Sequence, residues 1–323
     1  MDRVIALLAP GQGAQSPGML VPWLALEGAQ ERVAAWSETT GLDLRWLGTT
    51  ADAEEIKDTA VTQPLTVALS LLAAEELARR VELPTEAPVA GHSVGELAAA
   101  AVAGVLTTDE AVALAAVRGQ EMATACALEP TGMSAVLGGD PEDVTAVLAQ
   151  LGLDVANRNG AGQIVAAGRI DALAALAQHK PAQARVMPLP VAGAFHTRFM
   201  APAEHALAQY TAQLIVKDPA RPLLSNADGE VVTGGAEMLR RLIEQVTKPV
   251  RWDSCMATLR ALTVTATVEL PPAGKLSRLL KRDFKGTVTL ALKAPEDLDK
   301  IAGLLCAHSG TDHSGADYSG IVA

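Results

Sequence analysis

Residues 91–95 read Gly-His-Ser-Val-Gly, within the run VAGHSVGELAAA (89–100). A serine in the pattern G-x-S-x-G does chemistry when it lies between a strand and a helix. The sharp turn strains the serine backbone, the small residues let neighbouring chain approach, and the hydroxyl projects into a cleft. Here PVAGHS (88–93) reads as a short strand and VGELAAAAVAGVL (94–106) as a helix, so Ser93 occupies that context. The Val94 amide then lies at a helix N-terminus, where a developing oxyanion is stabilised. Glu96 falls in the first turn, where the helix dipole favours an acid. The plainer alternative is a glycine-rich turn whose serine only caps the helix. As a nucleophile, Ser93 points to acyl chemistry without naming the acyl group.

Such a serine needs a base. Six histidines are available: 92, 179, 196, 205, 308 and 313. His308 and His313 lie in or beside a polar tail, His179 sits at a polar helix end beside Lys180, and His205 lies within an amphipathic helix. His196, in VAGAFHTRFMAP (191–202), follows a predicted strand and a small-residue turn and is the best-placed general base. Without a serine to serve, it would be an ordinary histidine at a helix start. An α/β-hydrolase runs serine, acid, histidine, with the histidine near the C-terminus. More than 120 residues follow His196, and no triad acid is evident, so an ordinary hydrolase fits poorly.

Strands alternating with helices must hold these groups. VIALLAP (4–10) reads as a buried parallel strand and is followed by the loop GQGAQSPG (11–18). TQPLTVALSLLAAEELARR (62–80) predicts a helix capped by Thr62, and TDEAVALAAVRGQEMATACA (108–127) another with acids in its first turn. Residues 128–191 follow the order β-α-β-β-α-β, the pattern of a ferredoxin-like unit, and predict a small inserted domain. Residues 1–127 and 192–307 then form a discontinuous large domain whose mostly parallel sheet is covered on both faces by helices. Residues 308–323 are rich in Gly and Ser and read as a flexible tail.

Composition narrows the partners. The 323 residues are 49% hydrophobic but only 3% aromatic, so the core must be built from Ala, Val and Leu. A net charge of -11 argues against nucleic acid or an anionic membrane as partner, and an anionic ligand would need a local basic patch. The three cysteines, 126, 255 and 306, lack metal-ligand spacing and suit a reducing compartment. Asp2, Pro10 and Gly11 interrupt the apolar start as no signal peptide would, and no apolar run reaches the ~18 residues of a membrane helix. These features predict a cytoplasmic protein, monomeric by default, with no metal site, and acyl transfer through a serine needs no metal or organic cofactor.

Five motifs occur in one order: GQGAQ (11–15), GHSVGE (91–96), Arg118 in VRGQEM, GAFH (193–196) and EQVTKPVRW (244–252). Together with VELPPAGKLSRLLKR (268–282) they resemble the malonyl-CoA:acyl carrier protein transacylases of type II fatty acid synthesis and the acyltransferase domains of polyketide synthases. The resemblance implies an α/β-hydrolase-like large domain with a ferredoxin-like insertion, and malonyl transfer from malonyl-CoA to acyl carrier protein. It makes Ser93 the acylated nucleophile and His196 the base. It replaces the triad acid by the main-chain carbonyl of Gln245, and builds the oxyanion hole from the Gln12 and Val94 amides.

By the same resemblance Arg118 holds the malonyl carboxylate, a task for which a planar guanidinium fork suits better than lysine. On the residues alone Arg118 is an arginine on a helix surface, although the alanine-rich helix around it has few reasons to turn a charge inward. Phe195 implies malonyl over methylmalonyl, since its ring leaves little room for an α-methyl group. Asn159 and Gln163, in NRNGAGQIV (157–165), would line the cleft, unless they only form a hairpin turn. Lys275, Arg278, Lys281, Arg282 and Lys285 could dock the acidic carrier protein, against the ordinary reading of a solvated charged helix. A thioesterase, and a carrier-binding module without catalysis, are the rival readings. The same residues would serve fatty acid or polyketide synthesis.

Overall fold

The structure is a computed structural model in which residues 4–308 are described. The predicted tail therefore lies outside the described residues except for His308, which ends the helix Leu298–His308.

In chain order the strands are β1 (Val4–Ala9), β2 (Val89–Gly91), β3 (Thr131–Gly138), β4 (Asp154–Gly160), β5 (Gln163–Arg169) and β6 (Ala184–Pro188), then β7 (Leu223–Leu224), β8 (Val231–Val232), β9 (Val250–Arg251), β10 (Val264–Glu269) and β11 (Val288–Ala291). They form two sheets within a mixed α/β fold. The first has the order β11-β10-β1-β2-β7-β8 and is parallel except for the β7–β8 pair. β1 sits in its middle with Ile5 to Ala9 all buried, as a strand covered on both faces requires. β1 and β2 pair in the register Leu7–Val89, Leu8–Ala90, Ala9–Gly91. Their C-terminal ends therefore lie side by side, and the loop after β1 meets the serine turn after β2. The second sheet, in the order β6-β3-β5-β4-β9, is antiparallel among the strands of residues 131–188 and takes β9 as a parallel fifth strand.

Two long helices packed on one another decide the site. Thr59–Ala78 is buried along nearly its whole length and packs on Thr108–Cys126. The first begins a turn earlier than Thr62 predicts. Asp58 caps it by accepting the Ala60 amide at 2.8 Å, while Thr62 donates to the Ile56 carbonyl and Pro64 lies inside the helix. The second opens with a capping box between Thr107 and Glu110. Gly119 lets the two approach closely: a Cβ there would stand 2.7 Å from the Thr59 carbonyl oxygen. Arg118 is thereby pressed into the interior.

Residues 29–49 supply helices that the periodicity did not pick out, Ala29–Thr40 and Leu44–Thr49. The first buries only Ala29, Val33 and Trp36, too thin a stripe to stand out by sequence. Trp23, Trp36 and Trp252 are fully buried among a core otherwise dominated by Leu, Val and Ala. Among the described residues no helix is long and apolar enough to cross a membrane.

Candidate active site

The turn after β2 is as tight as the glycine spacing predicts. Ser93 has φ 55°, in the left-handed region that disfavours side chains. A Cβ on Gly91 would run into the Gly95 carbonyl and the Glu96 amide, so only glycine lets the strand end pass over the helix start. Asn226 ties this turn down. Its Oδ1 accepts the Ser93 amide at 2.8 Å, and its Nδ2 donates to the Gly91 carbonyl at 2.8 Å.

His196 is carried by another strained turn, with φ 61°. Thr131 Oγ1 accepts the Ala194 amide at 3.1 Å, and the Thr197 hydroxyl donates to the Ala194 carbonyl at 2.6 Å. The turn aims Nε2 of His196 at Ser93 Oγ, 2.7 Å away. On the far side of the ring, Nδ1–H donates to the Gln245 carbonyl at 2.8 Å. That bond fixes the tautomer and leaves Nε2 as the acceptor for the serine proton. Burial, and then the nearby Arg118 charge, hold the imidazole down to about 3, so it is neutral at physiological pH.

Arg118 is 3% exposed and points into the same space. Its Nη1 donates to Gln63 Oε1 at 2.6 Å and its Nη2 to Gln245 Oε1 at 2.8 Å, with Ser93 Oγ 3.4 Å from Nη2. Both tight partners are neutral amides, and among the described residues it makes no ion pair. Burial lowers its pKa to about 10, opposed by the charge of Glu96, so it remains a cation. A buried cation whose direct partners are neutral remains able to attract an anion.

Glu96 does more than complement the helix dipole. It is 1% exposed, and its two oxygens accept the Asn226 amide and Gln245 Nε2. Burial pushes its carboxyl up, against the pull of the Asn226 amide, Arg118 and Gln245. Gln245 Nε2 also donates to the Ser93 carbonyl at 3.2 Å. Gln63, Asn226 and the second contact of Glu96 escaped the sequence reading. Their signal is a polar side chain in an apolar helix or beside a short buried strand, which no spacing rule distinguishes from a surface position.

A cavity of about 930 Å³ opens onto these groups, well sized for an extended organic ligand. Gln12, Ser93, Val94, Arg118, Phe195 and His196 all line it. Among the described residues neither the Gln12 nor the Val94 amide has an intramolecular acceptor. Gly11 permits this apposition, since a Cβ there would stand 2.6 Å from the His92 carbonyl oxygen. Asn159 and Gln163 face the cavity from the second sheet. Asn159 Oδ1 lies 2.9 Å from His92 Nε2, bridging the two sheets. His92 packs edge-on against Trp252 at 5.6 Å, and burial lowers it to about 4.

The helix Lys275–Asp283 buries Leu276, Ser277 and Leu280 and presents Lys275, Arg278, Lys281 and Arg282 to the same cavity. Lys285 falls past the helix end and faces a separate depression with Arg260 and Arg282. The basic residues are thus the wall of the site rather than a patch apart from it.

Known proteins resemble this chain in sequence and fold. A protein of Mycobacterium tuberculosis, the malonyl CoA-acyl carrier protein transacylase of strain H37Rv, is 60% identical over 302 residues, 93% of this chain and 100% of its own length. The crystal structure of MCAT from Mycobacterium tuberculosis superposes with a TM-score of 0.90 at 59% identity, covering 93% of this chain and all of that one. A type II PKS acyl-carrier protein in complex with its malonyl-transacylase matches with a TM-score of 0.88 at 28% identity, over 93% of this chain and 99% of that one. The acyl transferase domain family matches residues 7–309. Every residue that lines the cavity lies inside that span, and the chain belongs to the acyl transferase domain family.

Proposed function

We propose that the protein moves a malonyl group from malonyl-CoA to the phosphopantetheine thiol of an acyl carrier protein through a malonyl ester on Ser93. The observation that carries this reading is the placing of one hydroxyl oxygen 2.7 Å from a neutral imidazole and 3.4 Å from a buried guanidinium. The first pairing activates a nucleophile, and the second selects an acyl group that ends in an acid. The names of the relatives above point the same way.

In the first half-reaction His196 Nε2 takes the serine proton as Oγ attacks the thioester carbonyl. The Gln12 and Val94 amides receive the oxyanion, and the tetrahedral intermediate collapses with CoA leaving, its sulfur protonated by His196. In the second, the carrier thiol gives its proton to His196 and attacks the ester, and Ser93 leaves as the hydroxyl. The Gln245 carbonyl steadies the imidazolium in each step. It carries no full negative charge, so the histidine stays a weak base at rest.

Arg118 grips the malonyl carboxylate, and Phe195, 6% exposed on the cavity wall, crowds the position of an α-methyl. One methyl changes binding by only about 1–3 kcal/mol, so exclusion of methylmalonyl is partial. Asn159 and Gln163 line the acyl and pantetheine path, and Lys275, Arg278 and Arg282 meet the anionic carriers at its entrance. The three cysteines, 126, 255 and 306, are widely spaced along the chain and suit a reducing, cytoplasmic setting. The product serves either fatty acid or polyketide synthesis.

Intact-mass measurement after mixing with malonyl-CoA tests the reading. Wild type should gain one adduct of about 86 Da, the mass of a malonyl group replacing a proton on a serine nucleophile. Ser93→Ala should gain none, and an adduct that persists on that variant would refute the assignment.

A further inference from the structure

Gln245 does two jobs with two different oxygens. Its main-chain carbonyl holds His196 Nδ1 at 2.8 Å, and its side-chain Oε1 holds Arg118 Nη2 at 2.8 Å. The first depends only on the backbone. The second depends on which way the amide is turned, because its two ends present opposite hydrogen-bonding character. Rotated by half a turn, the same side chain would set an NH2 against a guanidinium NH2, donor against donor.

Glu96 fixes the amide together with the Ser93 carbonyl. One carboxylate oxygen accepts the Asn226 main-chain amide, a donor that cannot be anything else. The other accepts Gln245 Nε2. With Nε2 committed to Glu96 and to the Ser93 carbonyl, Oε1 must face Arg118. Both oxygens of Glu96 thus meet N–H donors, and the whole chain of contacts is buried, where a mismatched pair is costly.

We propose that Glu96 is a positioning residue for acyl selection: by setting the orientation of the Gln245 amide, it aims the Arg118 guanidinium at the carboxylate end of the acyl group. This rests on the acyl-transfer reading of Ser93 and assigns a function to a side chain that touches neither substrate nor the reacting oxygen. Arg118 keeps its other holder, Gln63. Loss of Glu96 therefore leaves the cation in place but free to swing about that one bond.

Glu96→Gln tests it with almost no change of shape. Its carbonyl oxygen must still meet the Asn226 amide, which leaves its NH2 facing Gln245. Gln245 kept in place then sets its NH2 against that NH2, and turned it sets its nitrogen against Arg118 and its oxygen against the Ser93 carbonyl, so the amide is no longer locked with Oε1 on Arg118. The measurement is the rate of Ser93 acylation, followed by intact mass, with malonyl-CoA and with acetyl-CoA, which lacks the carboxylate. The malonyl-to-acetyl rate ratio should fall about tenfold, the scale of one hydrogen bond to a charged group. A purely structural role would slow both donors alike, and a ratio equal to that of wild type overturns the inference.

Gln245→Met provides a second route should Glu96→Gln not fold. It keeps the main-chain carbonyl for His196 and removes the acceptor for Arg118, so the same drop in ratio is expected. An undiminished ratio there also overturns the relay. Absence of any malonyl adduct on wild type would instead sink the acyl-transfer reading itself, so the two failures are distinct.

Discussion

Ser93 Oγ and His196 Nε2 stand 2.7 Å apart, and both residues hold positive φ, 55° and 61°. Each sits at the crest of a turn that an ordinary side chain avoids, and each turn is tied down by a side chain from elsewhere, Asn226 for the serine and Thr131 for the histidine, with Thr197 bracing the histidine turn from within. The strained backbone falls at the two residues whose polar side-chain atoms meet.

The resting state of that pair has a pH signature. An exposed histidine would switch near its ordinary value of 6.5, but burial, with Arg118 second, lowers His196 to about 3. The neutral base therefore persists well below pH 6. Single-turnover acylation of the free enzyme by malonyl-CoA at subsaturating concentration should show no inflection at 6.5. Stopped-flow release of CoA between pH 5 and pH 8 checks this, and a clear midpoint near 6.5 would contradict the buried, neutral imidazole.

Removal of Arg118 separates selection from activation. A hydrogen bond to a charged group contributes about 1.5–3 kcal/mol, so Arg118→Ala should cost malonyl-CoA about a hundredfold in kcat/KM. Acetyl-CoA should lose far less. Arg118→Lys restores the charge without the planar fork and should recover only part of the loss. Equal losses for both donors would place Arg118 outside acyl recognition.

How much of this was legible in sequence differs from residue to residue. Ser93 was readable because G-x-S-x-G needs glycines where chain crosses chain, and Gly91 and Gly95 are there for that reason. Arg118 gave a weaker signal, a lone cation in an alanine-rich helix. Gln245 was reached only through family resemblance, since a main-chain acceptor has no residue type to betray it. Asn226, Gln63 and the inward role of Glu96 were invisible, being fixed by contacts over 130, 55 and 149 positions. The cap at Asp58 lost out to Thr62, a better-looking signal before a proline that the helix in fact absorbs.

His92 should make the fold sensitive to acid. Its folded-state pKa is lowered to about 4, first by burial, from an ordinary 6.5. Between those values the unfolded chain binds a proton that the folded chain does not, so stability falls as pH falls, by about 1.4 kcal/mol per unit. The contribution is fully present above 6.5 and is lost on the way down to about 4. His92→Gln can still meet Asn159 but does not titrate. Its stability deficit relative to wild type should shrink by about 2 kcal/mol between pH 7 and pH 5. Urea unfolding at the two pH values reads this difference, and a constant deficit would show that His92 is not held neutral.

The basic helix Lys275–Asp283 carries the last prediction. Sequence alone suggests a docking patch for the acidic carrier protein, yet Lys275, Arg278, Lys281 and Arg282 line the cavity that holds Ser93. On the proposed reaction CoA would bring its own phosphates to this cavity, and the cations would then meet donor as well as acceptor. Reversing Arg278 and Arg282 to Glu together should raise KM for malonyl-CoA as well as for carrier protein. Exposed charges contribute about 0.2–1 kcal/mol each, so a rise of about three- to tenfold is expected. The effect should weaken with added salt, since these side chains are exposed and screened. Because neither residue touches Ser93 or His196, kcat at saturation should change little. If KM for the carrier rises alone, the helix is a protein-docking surface and CoA enters past other residues. If neither KM moves, its charges are only solvated.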